Sequence, residues 1–546
     1  MARETTTNEG RPAISPGDGG GGAAAPAPTD TAAKPQAVAP LHGGRLLAGT
    51  IALSLATFMN VLDTSIANVS IPAISGDNGV SPSQGTWVIT SFAVASAISV
   101  PLTGWLAQRF GQVRIFLTAT LLFTLASLLC GLAPNLETLI AFRVMQGGVA
   151  GPMIPLSQAL LLSSYPPARA GMAMALWAMT TLVAPIIGPP LGGWISDNLS
   201  WPWIFYINLP VGIIAGWITW SVYHTRETVT KSLPVDFVGL GLLMIWVGAM
   251  QIMLDKGHEL DWFSSNEIVA LAIIAGAGLV IFLIWELTEA HPVVDLSLFR
   301  RRNFAIGTCA LALAYGLFFG NVVLIPLWLQ QYMAYTATEA GLVLAPVGVL
   351  AFVLSPWVGR NVSRFDPRVL ASTSFVVFAI VLLMRSWFST DADFFTIALP
   401  AVLQGVAVAF MFVPMTTILL SGLGPERIPA ATGLSNFFRM TAGAFGTSIT
   451  TTLWDSRAQL HHAQLAERVS DFSAPSVQIG AQLQTQGLTP EQTLGLMNRL
   501  IDVQAYTLAA DELFYLAAWL FLLLIGFIWL AHPQRGRPAV AVSDAH

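Results

Sequence analysis

Apolar stretches of about twenty residues recur fourteen times along this chain, and no other feature constrains its fold as tightly. Each is long enough to cross a bilayer as a helix, which satisfies its own backbone groups where there is no water to do so. They fall near 46–71, 85–106, 113–132, 137–162, 169–195, 202–222, 236–254, 266–288, 303–330, 338–360, 367–387, 394–421, 429–454 and 511–531. Of 546 residues, 54% are hydrophobic and 10% charged, whereas a soluble domain carries about 25% charged residues. The expected fold class is an all-α polytopic membrane protein with 14 transmembrane helices.

An even number of spans puts both termini on one side, and the positive-inside rule selects the side. With the termini in the cytoplasm, the inner segments hold 18 Lys and Arg. The outer loops hold five: Lys256, Arg385, Arg457, Arg468 and Arg499. Residues 1–44, rich in Gly, Ala, Pro and Thr, read as a disordered cytoplasmic tail with no cleavable signal. Residues 533–546 read as a second tail. The two cysteines, Cys130 and Cys309, lie inside apolar runs and make neither a disulfide framework nor a metal cluster.

The two halves of the chain echo each other. Pro101, Gly104, Arg109 and Phe110 recur with identical spacing as Pro356, Gly359, Arg364 and Phe365. Gln146, Gly147 and Pro155 have counterparts in Gln404, Gly405 and Pro414, and the stretch from Arg169 to Gly188 matches that from Arg427 to Gly446. Spans 1–6 (residues 45–225) thus correspond to spans 9–14 (residues 291–532), with residues 226–290 as an inserted helix pair. Such repeats commonly surround a binding site near the bilayer midplane.

Within the first apolar run stands Asp63. A charge at bilayer depth costs roughly 2.5–3.5 kcal/mol on insertion scales, so an acid there is read as functional or as satisfied by a neighbouring helix. On a helical wheel Thr57, Asn60, Asp63, Thr64, Ala67 and Asn68 share one face, expected to border a polar cavity. Phe58, Leu62, Ile66 and Val69 share the face expected to meet lipid or packed neighbours. Span 4 carries a stripe of Arg143, Gln146, Gly147, Ala150, Ile154 and Ser157. Arg143 needs an anion or several acceptors, and Asp63 is the nearest candidate by type, as a coupling partner in proton exchange or as a permanent ion pair. In span 13, Arg439 shares a face with Asn436 and is read as a partner for a substrate anion or for carbonyls. With Asp63, Arg143 and Arg439 as the midspan charges, a cavity of net charge +1 favours anions over dications.

Two further segments stand out. Span 5 contains Pro185, Gly188, Pro189, Pro190, Gly192 and Gly193, a run expected to bend the helix and allow close packing. The loop from Gly104 to Arg114 carries Gly104 and Gly111, for a tight turn, and Arg109 and Arg114, for helix ends or acids of a neighbouring bundle. The polar stretch 455–510 shows helical patterns from Trp454 to Val469 and from Thr489 to Thr507. It is read as a docking surface or as an extension of spans 13 and 14. No phosphate-binding loop, zinc helix or nucleophile elbow is present, so ATP hydrolysis by this chain is not expected. An ion gradient then supplies the energy, about 2.3 kcal/mol per charge per 100 mV.

LDTSIANVSIP (62–72), GWLAQRFGQVR (104–114), RVMQGGVAGP (143–152) and GPPLGG (188–193) together resemble the signature set of the major facilitator superfamily. They look most like its fourteen-span drug:proton antiporter branch, with the likeness extending over roughly residues 45–532. The resemblance implies two six-helix bundles around a central cavity, with Asp63 and Arg143 as the proton-coupling pair. It further implies Pro185, Gly188, Pro189, Gly192 and Gly193 as the antiporter motif, and Gly104, Arg109, Gly111 and Arg114 as the cytoplasmic gate loop. Gln108 departs from the family pattern, which often has Asp there. Asn60, Thr64, Asn68, Gln146, Ser157, Gln404, Asn436 and Arg439 are the expected cavity side chains. The implied ligands are protons and hydrophobic or amphipathic drugs, especially weak acids, with no cofactor, metal or nucleic acid. The implied surroundings are the lipid of a bacterial inner membrane, an EmrA-like periplasmic adaptor and a TolC-like outer-membrane channel. A proton-linked carrier of one metabolite, such as a fatty acid, is the alternative.

Overall fold

Helices form wherever the apolar runs predict them. The computed structural model describes residues 39–467 apart from 233, together with 482, 485 and 489–532. Most of the expected tails, 1–38 and 533–546, and the centre of the long polar loop therefore lie outside the described residues. The helices are α1 (Gly43–Val69), α2 (Trp87–Ser99 continued by Thr103–Phe110), α3 (Gln112–Gly131), α4 (Leu136–Ser164) and α5 (Ala170–Asn198). They continue as α6 (Trp203–Tyr223), α7 (Phe237–Lys256), α8 (Asn266–Thr288), α9 (Arg302–Gln331) and α10 (Ala337–Asn361). The last four are α11 (Pro367–Arg385), α12 (Phe394–Leu420), α13 (Ile428–Ala466) and α14 (Pro490–Ile528).

Eleven of these cross a membrane by length and composition, or 13 when the bent helices α2 and α5 are each taken as one span. The bends are 59° and 42° and fall at Pro101 and between Pro185 and Pro190, where ring and missing N–H break the helical ladder. The expected fourteenth crossing, α13, fails on hydropathy: Asn436, Arg439 and its Thr and Ser residues dilute it. That composition suits a helix buried by its neighbours rather than bathed in lipid, and residues 429–437 of α13 are all buried.

The repeat is visible in the packing. α1 packs on α4, α5 and α6 as α9 packs on α12, α13 and α14; α4 packs on α2 and α3 as α12 packs on α10 and α11. Equivalent glycines make equivalent contacts. A methyl on Gly188 of α5 would strike Ser65 of α1, and one on Gly446 of α13 would strike Gly316 of α9. Likewise Gly147 of α4 lies against the Phe92 carbonyl of α2, and Gly405 of α12 against the Val347 carbonyl of α10.

The inserted pair, α7 and α8, joins this frame chiefly through α7 and through the α7–α8 connection, where the Trp262 indole donates to Thr452 Oγ1 of α13 at 2.9 Å. At one end of α7, Lys256 Nζ donates to Thr86 Oγ1 at 2.7 Å, and Thr90 of α2 bonds Asp255. Ser448 of α13 donates to the Leu254 carbonyl at 3.0 Å, so α7 touches both bundles. α8 packs on α7 and exposes Ile273, Val280, Ile281, Ile284 and Leu287, a face for lipid.

The described parts of the long polar loop are helical extensions of α13 and α14. Thr489 and Gln492 close a capping box that starts α14. Tyr506 Oη donates to Asp455 at 2.5 Å, Arg457 pairs with Glu512 at 2.7 Å, and His462 Nδ1 lies 2.8 Å from Asp502. The end of the molecule bearing this hairpin is called the hairpin end below, and that bearing residues 104–114 the loop end.

Candidate functional site

Asp63 lies in an apolar shell that includes Leu62, Ile66, Val88, Leu139 and Phe205, and it is 2% exposed. Its Oδ2 accepts from Arg143 Nη1 at 2.6 Å, and its Oδ1 from Asn208 Nδ2 at 2.7 Å and Gln146 Nε2 at 3.2 Å. Arg143 also donates to Gln146 Oε1 at 2.7 Å and, through Nε, to the Val88 carbonyl at 3.0 Å. Its guanidinium sits 4.3 Å from the centre of the Phe92 ring. Ser127 Oγ accepts from both Asn208 and Gln146, at 2.8 and 3.3 Å. Five helices, α1, α2, α3, α4 and α6, thus converge on one charge pair.

Three donors point at the two carboxylate oxygens, two at Oδ1 and one at Oδ2, so a proton added at Oδ1 would displace a donor. Loss of the negative charge also leaves the guanidinium, 0% exposed and with its Nη2 unpartnered among the described residues, without an anion. Asp63 lies twenty residues along α1, about 30 Å at 1.5 Å per residue, and so nearer the hairpin end than the midspan expected of it. Asn208 and Ser127 were not anticipated. Their only signal is a lone polar residue at the start or near the end of an apolar run.

The Pro/Gly run packs on the same helix. Gly188 abuts Ser65 and Gly192 abuts Ile66, the two residues that follow Thr64, while Gly193 is looser, with Val69 at 4.0 Å. Pro185 is exposed, and its carbonyl accepts from Ser65 Oγ at 3.4 Å. Of Pro189 only the helical backbone is described. Leu62 and Ile66, on the face expected to meet lipid or packed neighbours, are buried, Ile66 beneath α5, while Asn68, expected at the cavity, is exposed.

A pocket of about 10 Å³ lies between the bundles in the loop-end half, lined by Gln158, Trp177, Phe412, Ser435, Asn436 and Arg439. Asn436 and Arg439 are the two expected cavity residues found on its wall; Gln158 and Trp177 were missed. The others are engaged elsewhere. Gln146 belongs to the Asp63 network, and Gln404 accepts from Arg385 at 2.6 Å. Asn60 Nδ2 donates to the Ala150 carbonyl at 3.0 Å, and Thr64 Oγ1 bonds the Asn60 carbonyl at 3.4 Å. Ser157 Oγ accepts from Thr57 at 2.8 Å and from the Trp177 indole at 3.1 Å, one residue behind the wall. Arg385 and Lys256, counted with the outer loops, are buried in α11 and α7; removing them leaves three Lys or Arg in those loops against 18 inside.

The loop end is shut. A methyl on Gly104 would lie 2.6 Å from Ala430 Cβ, joining α2 to α13, and one on Gly171 would strike the Gly359 carbonyl, joining α5 to α10. Gly104 is therefore a packing position rather than part of the turn, which falls at Gly111, with φ of 97°. Arg109 lies over Trp105 and Phe110, at 5.3 and 5.5 Å. Arg114, 75% exposed, reaches Glu227 loosely at 4.0 Å. Glu227 also accepts from the Val113 and Arg114 amides, at 3.1 and 2.8 Å, and so caps α3. Outside this seal a cavity of about 230 Å³ is lined by Trp105, His291, Asp295 and Leu434, among others.

The Major Facilitator Superfamily profile matches residues 53–447. Multidrug export protein EmrB of Escherichia coli (strain K12) is 52% identical over 498 residues, covering 91% of this chain and 97% of that one. Fatty acid resistance protein FarB of Neisseria gonorrhoeae is 50% identical over 494 residues, 90% of this chain and 97% of that one. The crystal structure of the human organic anion transporter MFSD10 (TETRAN) superposes with a TM-score of 0.58, at 14% identity, over 89% of this chain and all of that one. At that identity the likeness is one of fold. With its paired bundles and a profile match over most of its length, this chain belongs to the Major Facilitator Superfamily, in the group that holds the EmrB multidrug export proteins.

Proposed function

We propose that this protein is a proton-driven multidrug antiporter that exports hydrophobic, weakly acidic toxic compounds across a bacterial inner membrane. The observation that carries the reading is the Asp63–Arg143 pair, sealed from water and held by Gln146 and Asn208. Such a pair stores a proton-dependent link between α1 and its neighbours, α4 and α6. Protonation of Asp63 weakens that link, and the adjoining Pro/Gly run of α5 takes up the movement of α1. The relatives' names, multidrug export and fatty acid resistance, support drugs or amphipathic acids as cargo. A carrier restricted to fatty acids is the second reading, favoured by the second of those names.

The charge asymmetry supports a cytoplasmic loop end and cytoplasmic termini, with the hairpin in the periplasm. There the extensions of α13 and α14 face an EmrA-like adaptor leading to a TolC-like channel, which makes this chain the pump subunit of a tripartite system. The closed loop end is then the cytoplasmic gate.

Proton release from the purified protein on adding a hydrophobic weak acid, corrected for ligand ionisation, tests the reading. Release by the wild type and its loss in Asp63→Asn are expected. Equal release from both proteins makes Asp63 structural, and no release despite confirmed binding removes direct proton–drug competition.

A further inference from the structure

Among the described residues Arg439 is a buried cation without an anion. It is 5% exposed, donates to the neutral Asn436 Oδ1 at 2.8 Å, and has the Tyr315 hydroxyl as a second hydrogen-bonding neighbour. Its Nε has no acceptor, and among the described residues no carboxylate lies within 4.0 Å. The rings of Tyr315, Trp177 and Phe412 stand 4.6, 5.9 and 6.0 Å from it, and their faces offset part of the lost hydration. A guanidinium desolvated this far is stable when an anion completes it. Among the described residues Arg385 also lacks a counterion, but it is held by Gln404 inside one bundle and lines no described pocket. Arg439 faces a cavity between the bundles.

We infer that Arg439, with Asn436 and Gln158, is the anion subsite of the transport pocket, and that it takes amphipathic monoanions. The inference deepens the proposed export of weak acids and rests on it. One guanidinium among the pocket-lining residues balances one negative charge, and a second would stay uncompensated. Trp177, Phe412 and Leu311 supply the apolar wall for the body of such a compound. The Asn436 amide now donates to Gln158 Oε1 at 3.2 Å, a bond between α13 and α4 and so between the bundles. An anion arriving at Arg439 competes for that amide, which makes the subsite sensitive to the relative position of the two bundles. At about 10 Å³ the present cavity holds about one water, so the ligand enters as the bundles move apart. The subsite is separate from the proton site: Arg439 lies eleven residues, about 16 Å, along α13 from the loop end, against about 30 Å for Asp63 along α1.

The test uses the full chain in lipid nanodiscs and equilibrium dialysis near neutral pH. The probes are 2,4-dinitrophenol, then an anion, and 2,4-dinitroanisole, its uncharged ether of nearly the same shape; empty nanodiscs correct for partitioning. The wild type is expected to bind the phenolate about tenfold more tightly than the ether, the scale of one charge-assisted contact. Arg439→Gln is expected to bring the two affinities together while leaving ether binding in place. Should Arg439→Gln fail to assemble, Arg439→Lys carries the test, with a preference reduced but above one. Binding of the ether as tightly as the phenolate by the wild type, or an undiminished preference in the Arg439 variants, overturns the inference and leaves drug export standing. Binding of neither probe by the wild type removes the weak-acid reading and the subsite with it.

Discussion

The glycine seal at the loop end gives a prediction with a calculable size. Adding one methyl in Gly104→Ala places a carbon 2.6 Å from Ala430 Cβ and 2.7 Å from Ala430 Cα, where ordinary contact begins at 3.4 Å. α2 and α13 must part by roughly 1 Å, and overpacking of that kind costs about 1–3 kcal/mol. The cost falls on the closed state alone, so the balance shifts toward opening by about 5–150-fold. Ser435 lines the pocket between the bundles, behind the seal, and is 4% exposed. A Ser435→Cys reporter, in a Cys130→Ala, Cys309→Ser background, should react with a water-soluble maleimide faster by that factor when Gly104→Ala is added. Gly148, with no heavy atom within 4 Å of an added Cβ, is the control, and Gly148→Ala should leave the rate unchanged. Labelling of Gly104→Ala at the parent rate, or below it, would refute the claim that this contact holds the gate shut.

Two further outcomes follow from the same structure. Asp63→Asn and Arg143→Gln should each destabilise the fold by about 3–5 kcal/mol, and the double variant by clearly less than their sum, because each single change strands a buried partner. Equilibrium unfolding in mixed micelles measures the coupling, and strict additivity would show that the two groups do not interact. At the start of α12, Asp393 is held below the ordinary carboxyl value by the Thr396 side chain and by the Thr396 amide, from which it accepts at 3.0 Å. Because that pKa is lowered, the cap contributes above the unfolded carboxylate pKa and fades as pH falls through the folded one. Asp393→Ala should therefore destabilise the fold at neutral pH and have close to no effect in strong acid. An equal cost at both pH values rules out an ionised cap.

How much of this was legible depended on contrast with the background. Asp63 and Arg143 stand out because a charge inside an apolar run has few explanations, and the two signs match. Asn208 carries as short a hydrogen bond to Asp63 as any neutral partner, yet it opens an apolar run at Asn-Leu-Pro, where an asparagine ordinarily marks a helix start. Arg385 closes an apolar run, so position in sequence reads it as the first loop residue, while the helix end folds it inward onto Gln404. The glycine matches between the halves were legible as spacing. Their meaning, helices in backbone contact, needed the partner chain segments in place. Gln158 and Trp177 resemble any other polar or aromatic residue of a buried helix, and the opposing α13 is what turns them into a pocket wall.

The attachment of the inserted pair has a consequence for the surrounding bilayer. α7 is bonded to α2 through Thr86 and Thr90 and to α13 through Ser448, Trp262 of the α7–α8 connection is bonded to Thr452 of α13, and α8 packs on α7 with most of its apolar surface exposed. Relative motion of α2 and α13 therefore either breaks one of these bonds or swings a 23-residue apolar rod, about 35 Å long, through lipid. In the second case the hydrocarbon around α8 must stretch, thin or reorder at fractions of a kcal/mol per ångström of mismatch. Membrane thickness then acts as a load on the conformational cycle, and the lipid composition in which the protein is assayed becomes one of its kinetic parameters.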